Sequence, residues 1–162
     1  MGPSAEAGRR HIRVLTVATA FLGLAATAAM ADGQSSTAST GTRTLPAELI
    51  DVTWEWVSLQ TPKDLTTVPE PANYTVTFAG DGAIALQLDC NRGVSSYEVK
   101  GEGRIAISPI ASTMMMCNET SLSHDFTTQL ERVGSFFQLE GDLLLEQPYD
   151  SGTLRFRPKG AD

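Results

Sequence analysis

A mainly β fold with one α-helix is predicted, in the form of a strongly curved antiparallel sheet or partial barrel covered by one amphipathic helix. Three observations predict it. Apolar and polar residues alternate with a period of two in many short runs between Ile50 and Arg157. Glycine-bearing turns separate several of those runs. One late stretch alone switches to helical spacing. Many strands with one helix must bury the apolar face of a sheet, and curling that sheet under a helix does so.

Taken in order, Ile50, Val52, Trp54 and Trp56 share one face of a strand over 50–58, with Asp51, Thr53 and Glu55 on the other. Tyr74, Val76 and Phe78 form the next apolar face, and Ile84, Leu86 and Leu88 the one after it. Ala79-Gly80-Asp81-Gly82 supplies the hairpin turn between these two strands. Tyr97 and Val99 alternate with Ser96, Glu98 and Lys100, and Gly101-Glu102-Gly103 then turns the chain toward Ile105 and Ile107. Phe137-Gln138-Leu139, Leu143-Leu144-Leu145 and Leu154-Arg155-Phe156-Arg157 read as three more strands, with Gly141-Asp142 turning between the first two. Over 121–133, Leu122, Phe126, Leu130 and Val133 recur at helical spacing, and Gly134 follows as the expected C-cap.

Ahead of the domain, Arg9, Arg10 and Arg13 precede a charge-free run over 14–30 that closes with Ala29-Met30-Ala31. A basic start, a short apolar stretch and a small-x-small end are the parts of a secretory signal peptide, with the cut after Ala31. The competing reading is a retained anchor, but the run falls short of the ~20 strongly apolar residues a span needs. Arg9-Arg10 lacks the rest of a twin-arginine pattern, and no Cys near the cut offers a lipid attachment point. Residues 32–47 are mostly Ser, Thr, Gly and Ala and read as a flexible linker, leaving 48–158 as the domain. The expected location is the periplasm or the medium, and the expected state is a monomer.

The chain carries a formal charge of −7, from 12 basic and 19 acidic residues. Losing the leader removes three Arg and one Glu, giving 9 against 18, or −9. Such a surface repels phosphate backbones and anionic headgroups, which argues against nucleic-acid and membrane-surface partners. Two cysteines remain, Cys90 and Cys117, and an even pair in an oxidising compartment is expected to bridge. Closing that loop stabilises the fold by about 3–4 kcal/mol on the chain-entropy estimate. The close CxxC spacing of thiol metal sites is missing.

The stretch Asp89-Cys90-Asn91-Arg92-Gly93-Val94-Ser95-Ser96-Tyr97 resembles a Gly-Cys-Asn … Gly-x-Tyr signature, and Ser112-Thr113-Met114-Met115-Met116-Cys117 resembles a Thr-Arg-Met-Ala-Cys signature. A helix with Phe126 and Leu130 follows, then an ending over 136–145 similar to a Gly-x-x-Leu-x-Leu pattern. An opening Trp, Trp54 or Trp56, also fits. These features resemble the META/HslJ-like domain family of small bacterial envelope proteins, over residues 49–157. In that pattern Asn91, Tyr97 and Thr113 are motif positions. Asp89 stands where the family has Gly, Ser95 where it has the Gly before Tyr, Met114 where it has Arg, and Ser123 where Glu is frequent. Lost glycines imply either that positive φ is avoided there or that strain is carried. The resemblance implies a stress-associated envelope role and supplies no catalytic residues.

Hydrolase chemistry would depend on His124, the one histidine left after the leader. Its neighbours Ser121, Ser123 and Asp125 do not share its helical face, and its own position opposite the Leu122–Phe126 stripe places it in solvent. A Gly-x-Ser-x-Gly elbow is absent. Met114, Met115 and Met116 with His124 are soft donors suited to Cu(I). Three successive residues on an extended chain do not converge on one ion, however, and Met commonly fills core gaps. Asn91 and Arg92 form a possible polar binding spot, against which stands the use of Asn in local turns. Trp54 and Trp56 read as core, and Glu98 and Glu102 as a solvated hairpin.

The expected function is therefore non-enzymatic, with no cofactor and no metal: a binding domain connected with stress tolerance. Its partner is a protein or a small apolar ligand. A carrier of such a ligand requires a cavity left open by Trp54, Trp56, Phe78 and Phe137. An inhibitor of an envelope or foreign enzyme requires an exposed, ordered loop, for which 61–72 and 147–152 are the candidates.

Overall fold

The computed structural model describes residues 44–161, so the leader, its cut after Ala31 and most of the linker lie outside the described residues. Ten strands and one helix follow in the order β1 (Thr53–Gln60), β2 (Leu65–Thr67), β3 (Tyr74–Phe78), β4 (Ala83–Leu88), β5 (Asn91–Gly101), β6 (Arg104–Ile107), β7 (Ala111–Ser112), α1 (Ser123–Leu130), β8 (Ser135–Leu139), β9 (Asp142–Glu146) and β10 (Thr153–Pro158). All strand pairings are antiparallel, along the path β10-β9-β8-β6-β5-β4-β3-β1-β2. Because β1 also pairs with β10, the path returns on itself and the sheet curves strongly around its apolar face. The ladder is thinnest between β6 and β8, where Arg104 and Ser135 form the single pair.

Period-two alternation becomes register on the inner face. Tyr74 lies across from Leu88, Val76 from Leu86 and Phe78 from Ile84, and all six side chains are buried. Leu145 faces Leu154 in the same way, and Leu143 faces Phe156. A bulge at Val57 resets β1. Without it Ser58 and Gln60 would follow Trp56 inward; with it Leu59 turns in, across from Leu154, as Trp56 does across from Phe156. Glu55 on the opposite face is nevertheless buried, paired with Arg157 at 3.3 Å. On β8 the inward residue is Phe136, not Phe137, which is 39% exposed. The two-residue turn into β9 is Glu140-Gly141, both at positive φ, so Asp142 already belongs to the strand.

The helix is shorter than its spacing predicts. It ends at Leu130, and Val133 closes a tight turn by donating its N–H to Leu130 O at 3.1 Å. Gly134 is no C-cap: it has no left-handed φ, and its N–H joins the sheet by donating to Glu146 O at 2.8 Å. Leu122 precedes the helix without a side-chain cap, and the Tyr74 hydroxyl accepts its N–H at 2.9 Å. Phe126 and Leu130 point into the sheet. The Phe126 ring stacks on Trp56 at 4.9 Å and meets Tyr74 and Phe156 at 6.0 and 6.1 Å. Aromatic contacts of this kind add about 0.5–1.5 kcal/mol each beyond area burial.

Candidate functional site

Cys90 and Cys117 are bridged, with their Cα atoms 5.6 Å apart, and the bridge ties the start of β5 to the irregular segment after β7. Beside it, Asn91 is 7% exposed and fully engaged. Its Oδ1 accepts from Thr113 Oγ1 at 2.8 Å and from Met115 N at 2.7 Å, while Nδ2 donates to Met115 O at 3.0 Å. One amide thus takes both backbone groups of Met115. These bonds span 22 to 24 residues, so Asn91 does not serve a local turn. Thr113 adds a further clasp: Arg92 N donates to its hydroxyl at 3.1 Å, and its own N–H donates to Arg92 O at 3.0 Å. Arg92 points the other way, as alternation requires, and donates to Gln87 Oε1 at 2.6 Å. Asn91 and Arg92, the candidate polar binding pair, thus bond to different partners, Asn91 to the 113–115 segment and Arg92 to Gln87. Tyr97 anchors the core: its hydroxyl donates to Ala79 O at 2.7 Å and its ring meets Phe78 edge-on. Burial, then the carboxylates of Asp81 and Asp51, push its phenol pKa above the ordinary value.

Two recesses near this frame hold candidate residues. In the first, Met114, Met115, Met116 and His124 line one cavity of about 360 Å³ together with Leu88, Asn91 and Thr127. The methionines are 96%, 59% and 100% exposed, so they fill no core gap. In the second, the chain ends of β1 and β10 bring both candidate loops together. Gln60 pairs with Leu65 across one turn and with Thr153 on the other side. A recess of about 310 Å³ lies between them, lined by Thr61, Pro62, Gln147, Asp150 and Gly152. The 61–72 segment is not all loop, since β2 pairs back onto β1 and Val68 is buried.

A family model described as the META domain matches residues 47–160. The chain belongs to the META domain family. Among solved structures, this META domain is similar to a DUF4847 family protein from Bacteroides vulgatus, at 14% identity and a TM-score of 0.49, covering 67% of this chain and 93% of that one. It is also similar to a protein solved by NMR, at 20% identity and a TM-score of 0.49, covering 71% and 95%. A comparison with curated proteins gives no match.

The META domain also uses residues that its sequence does not advertise. Gln147 is buried and donates through Nε2 to Gln129 O at 3.0 Å and Gln129 Oε1 at 2.7 Å, fixing the second loop to the helix. Gly152 gives it room, for a Cβ there would meet Gln147 Oε1 at 2.8 Å. Between them Tyr149 and Asp150 both hold positive φ, at 61° and 52°, and Tyr149 is 100% exposed. Glu131 accepts the N–H of Ile110 at 2.7 Å and so ties the far end of the helix to the chain before β7. Pro148 and Gly152 mark the second loop as a turn, but nothing in its composition signals a left-handed tyrosine.

Proposed function

We propose that this META domain is an exported, non-enzymatic envelope protein that binds a protein partner through its paired loops. The observation that carries the reading is the presentation of Tyr149. A bulky aromatic side chain stands fully in solvent on backbone that disfavours it, and buried Gln147 holds that loop in place. Such strain persists only where the surroundings impose it, and an exposed aromatic on an ordered loop is the usual anchor of an interface. Export is supported by the leader pattern and by the disulfide, and no described helix is long and apolar enough to cross a membrane. A non-catalytic role is supported by His124, which lies exposed on α1 with its imidazole bonded to no serine or carboxylate among the described residues. The stress-tolerance role follows from the family resemblance.

The carrier alternative is disfavoured by the same core. Trp54, Trp56, Phe78, Phe126 and Phe156 fill the concave face, each 2% exposed or less. Native mass spectrometry of the protein taken from its host envelope is expected to give the bare polypeptide mass, two hydrogens below the reduced value. A photo-crosslinking amino acid at Tyr149 is expected to give a discrete protein adduct that the same label at Glu98 does not. A lipid-sized added mass, or equal labelling from both positions, would overturn the reading.

A further inference from the structure

The methionine triplet is left unexplained by that reading. Thioether side chains are ordinarily buried, yet three in succession are exposed here, on a segment held by the bridge and by the Asn91 amide. The bridge fixes Cys117 and the Asn91 amide fixes both backbone groups of Met115. The backbone is held while the side chains stay free. All three line the same cavity as His124, which stands in the first turn of α1.

We propose that this cavity binds Cu(I), through the thioethers of the 114–116 segment and the imidazole of His124. Donor chemistry decides the ion. Both thiols are consumed in the disulfide, so thioether sulfur and imidazole nitrogen are the soft donors left at this place. That set suits a soft monovalent cation and serves Zn²⁺, Ca²⁺ or Mg²⁺ poorly. Among the described residues, no group of three or more His, Cys, Asp or Glu is placed to hold a hard or borderline ion instead. Successive residues of a regular strand point to opposite faces, but 113–118 forms no strand and all three methionines line the one cavity. Three rotatable bonds per methionine let the sulfur atoms close on an ion from a fixed backbone.

The test is titration of the disulfide-intact domain with Cu(I), held in that state by ascorbate, against the chromogenic chelator bicinchoninate. One equivalent is expected to be withheld from the chelator. His124→Ala, and the triple variant Met114→Leu, Met115→Leu, Met116→Leu, are each expected to weaken binding by about tenfold or more. The four side chains are exposed, so both variants should keep the parent melting temperature, which separates lost binding from lost folding. Ag(I), a redox-inert stand-in, is expected to shift the methyl resonances of the three methionines together with the His124 ring signals. The proposal is overturned if no copper is withheld, if both variants bind as the parent does, or if Zn²⁺ binds equally well.

Discussion

The inner face around Phe126 and the segment from Thr113 to Cys117 are both well held, but by opposite means. Around Phe126, order comes from burial: Trp56, Phe126 and Phe156 are each 1% exposed or less, and no polar bond of their rings organises the packing apart from the Trp56 indole donating to Ser58 O. Along 113–117, order comes from one covalent bridge, the Asn91 amide and the Thr113 clasp on Arg92, while the methionine side chains remain largely in solvent. Packing spends side chains on the interior and leaves none for contact. Cross-linking through Cys90 and Asn91 holds the backbone and leaves the side chains free, and that is why the stapled segment is the better place for a binding surface.

The sharpest way to break this contrast is to remove the packing. Phe126→Ala is expected to cost about 3–5 kcal/mol, since it deletes the ring that joins α1 to the sheet and leaves a cavity beside Trp56. Denaturant unfolding measures it. A loss below about 1 kcal/mol would mean that the helix is held by its polar ties, Glu131 to Ile110 and Gln147 to Gln129, and the contrast would fail.

The two regions also differ in how far the sequence reveals them. Alternation shows which residues face inward on β3, β4, β9 and β10, because burial on one face of a strand is a period-two signal in composition itself. It does not reach Leu59, which the bulge at Val57 turns inward, and it prefers Phe137 to its neighbour Phe136. The short β2 and β7 carry no apolar pattern at all, since their residues are exposed. In the stapled segment the pairing of Cys90 with Cys117 is legible from their number and the leader pattern ahead of them. The amide clasp is not: Asn91 and Met115 are 24 residues apart and no local rule connects them. Tyr149 is hidden for a related reason, as its loop is tied through Gln147 to Gln129 on the helix, 18 residues away.

A smaller effect separates the two fastenings of the stapled segment. Cys117→Ser is expected to cost about 3 kcal/mol under oxidising conditions. Asn91→Ala, which strips four bonds from the same segment, is expected to cost about 1–3 kcal/mol. Both act on one piece of backbone, so the double variant should lose less than the sum, by at least about 0.5 kcal/mol. Once the bridge is gone the segment can leave β5, and the amide has less to hold. Strict additivity in thermal unfolding would show that the bridge and the amide order separate structures.

The smallest effect concerns the residue that leads into the bridge, and there even the sign is informative. Asp89 holds φ at 58°, where the family pattern places Gly, while Ser95, the other lost glycine, is absent from the left-handed residues. Asp89 uses its backbone, with N–H to Asn73 O at 2.7 Å and its carbonyl accepting from Gln87, and its carboxylate makes no hydrogen bond among the described residues. Asp89→Gly therefore removes the Cβ that strains the turn together with a carboxylate that accepts no hydrogen bond among the described residues. It is expected to raise stability by about 0.5 kcal/mol, the relief being partly offset by the freer unfolded chain. Ser95→Gly is expected to lower it by about 0.5–1 kcal/mol, because glycine weakens a strand interior and the Ser95 hydroxyl bond to Ser108 O at 2.7 Å is lost. Opposite shifts in denaturation midpoint would show that the chain bears strain at the door of the bridge and avoids it along the strand. Equal losses at both positions would mean that the left-handed turn before Cys90 costs nothing, and that the stapled segment is fastened without backbone strain.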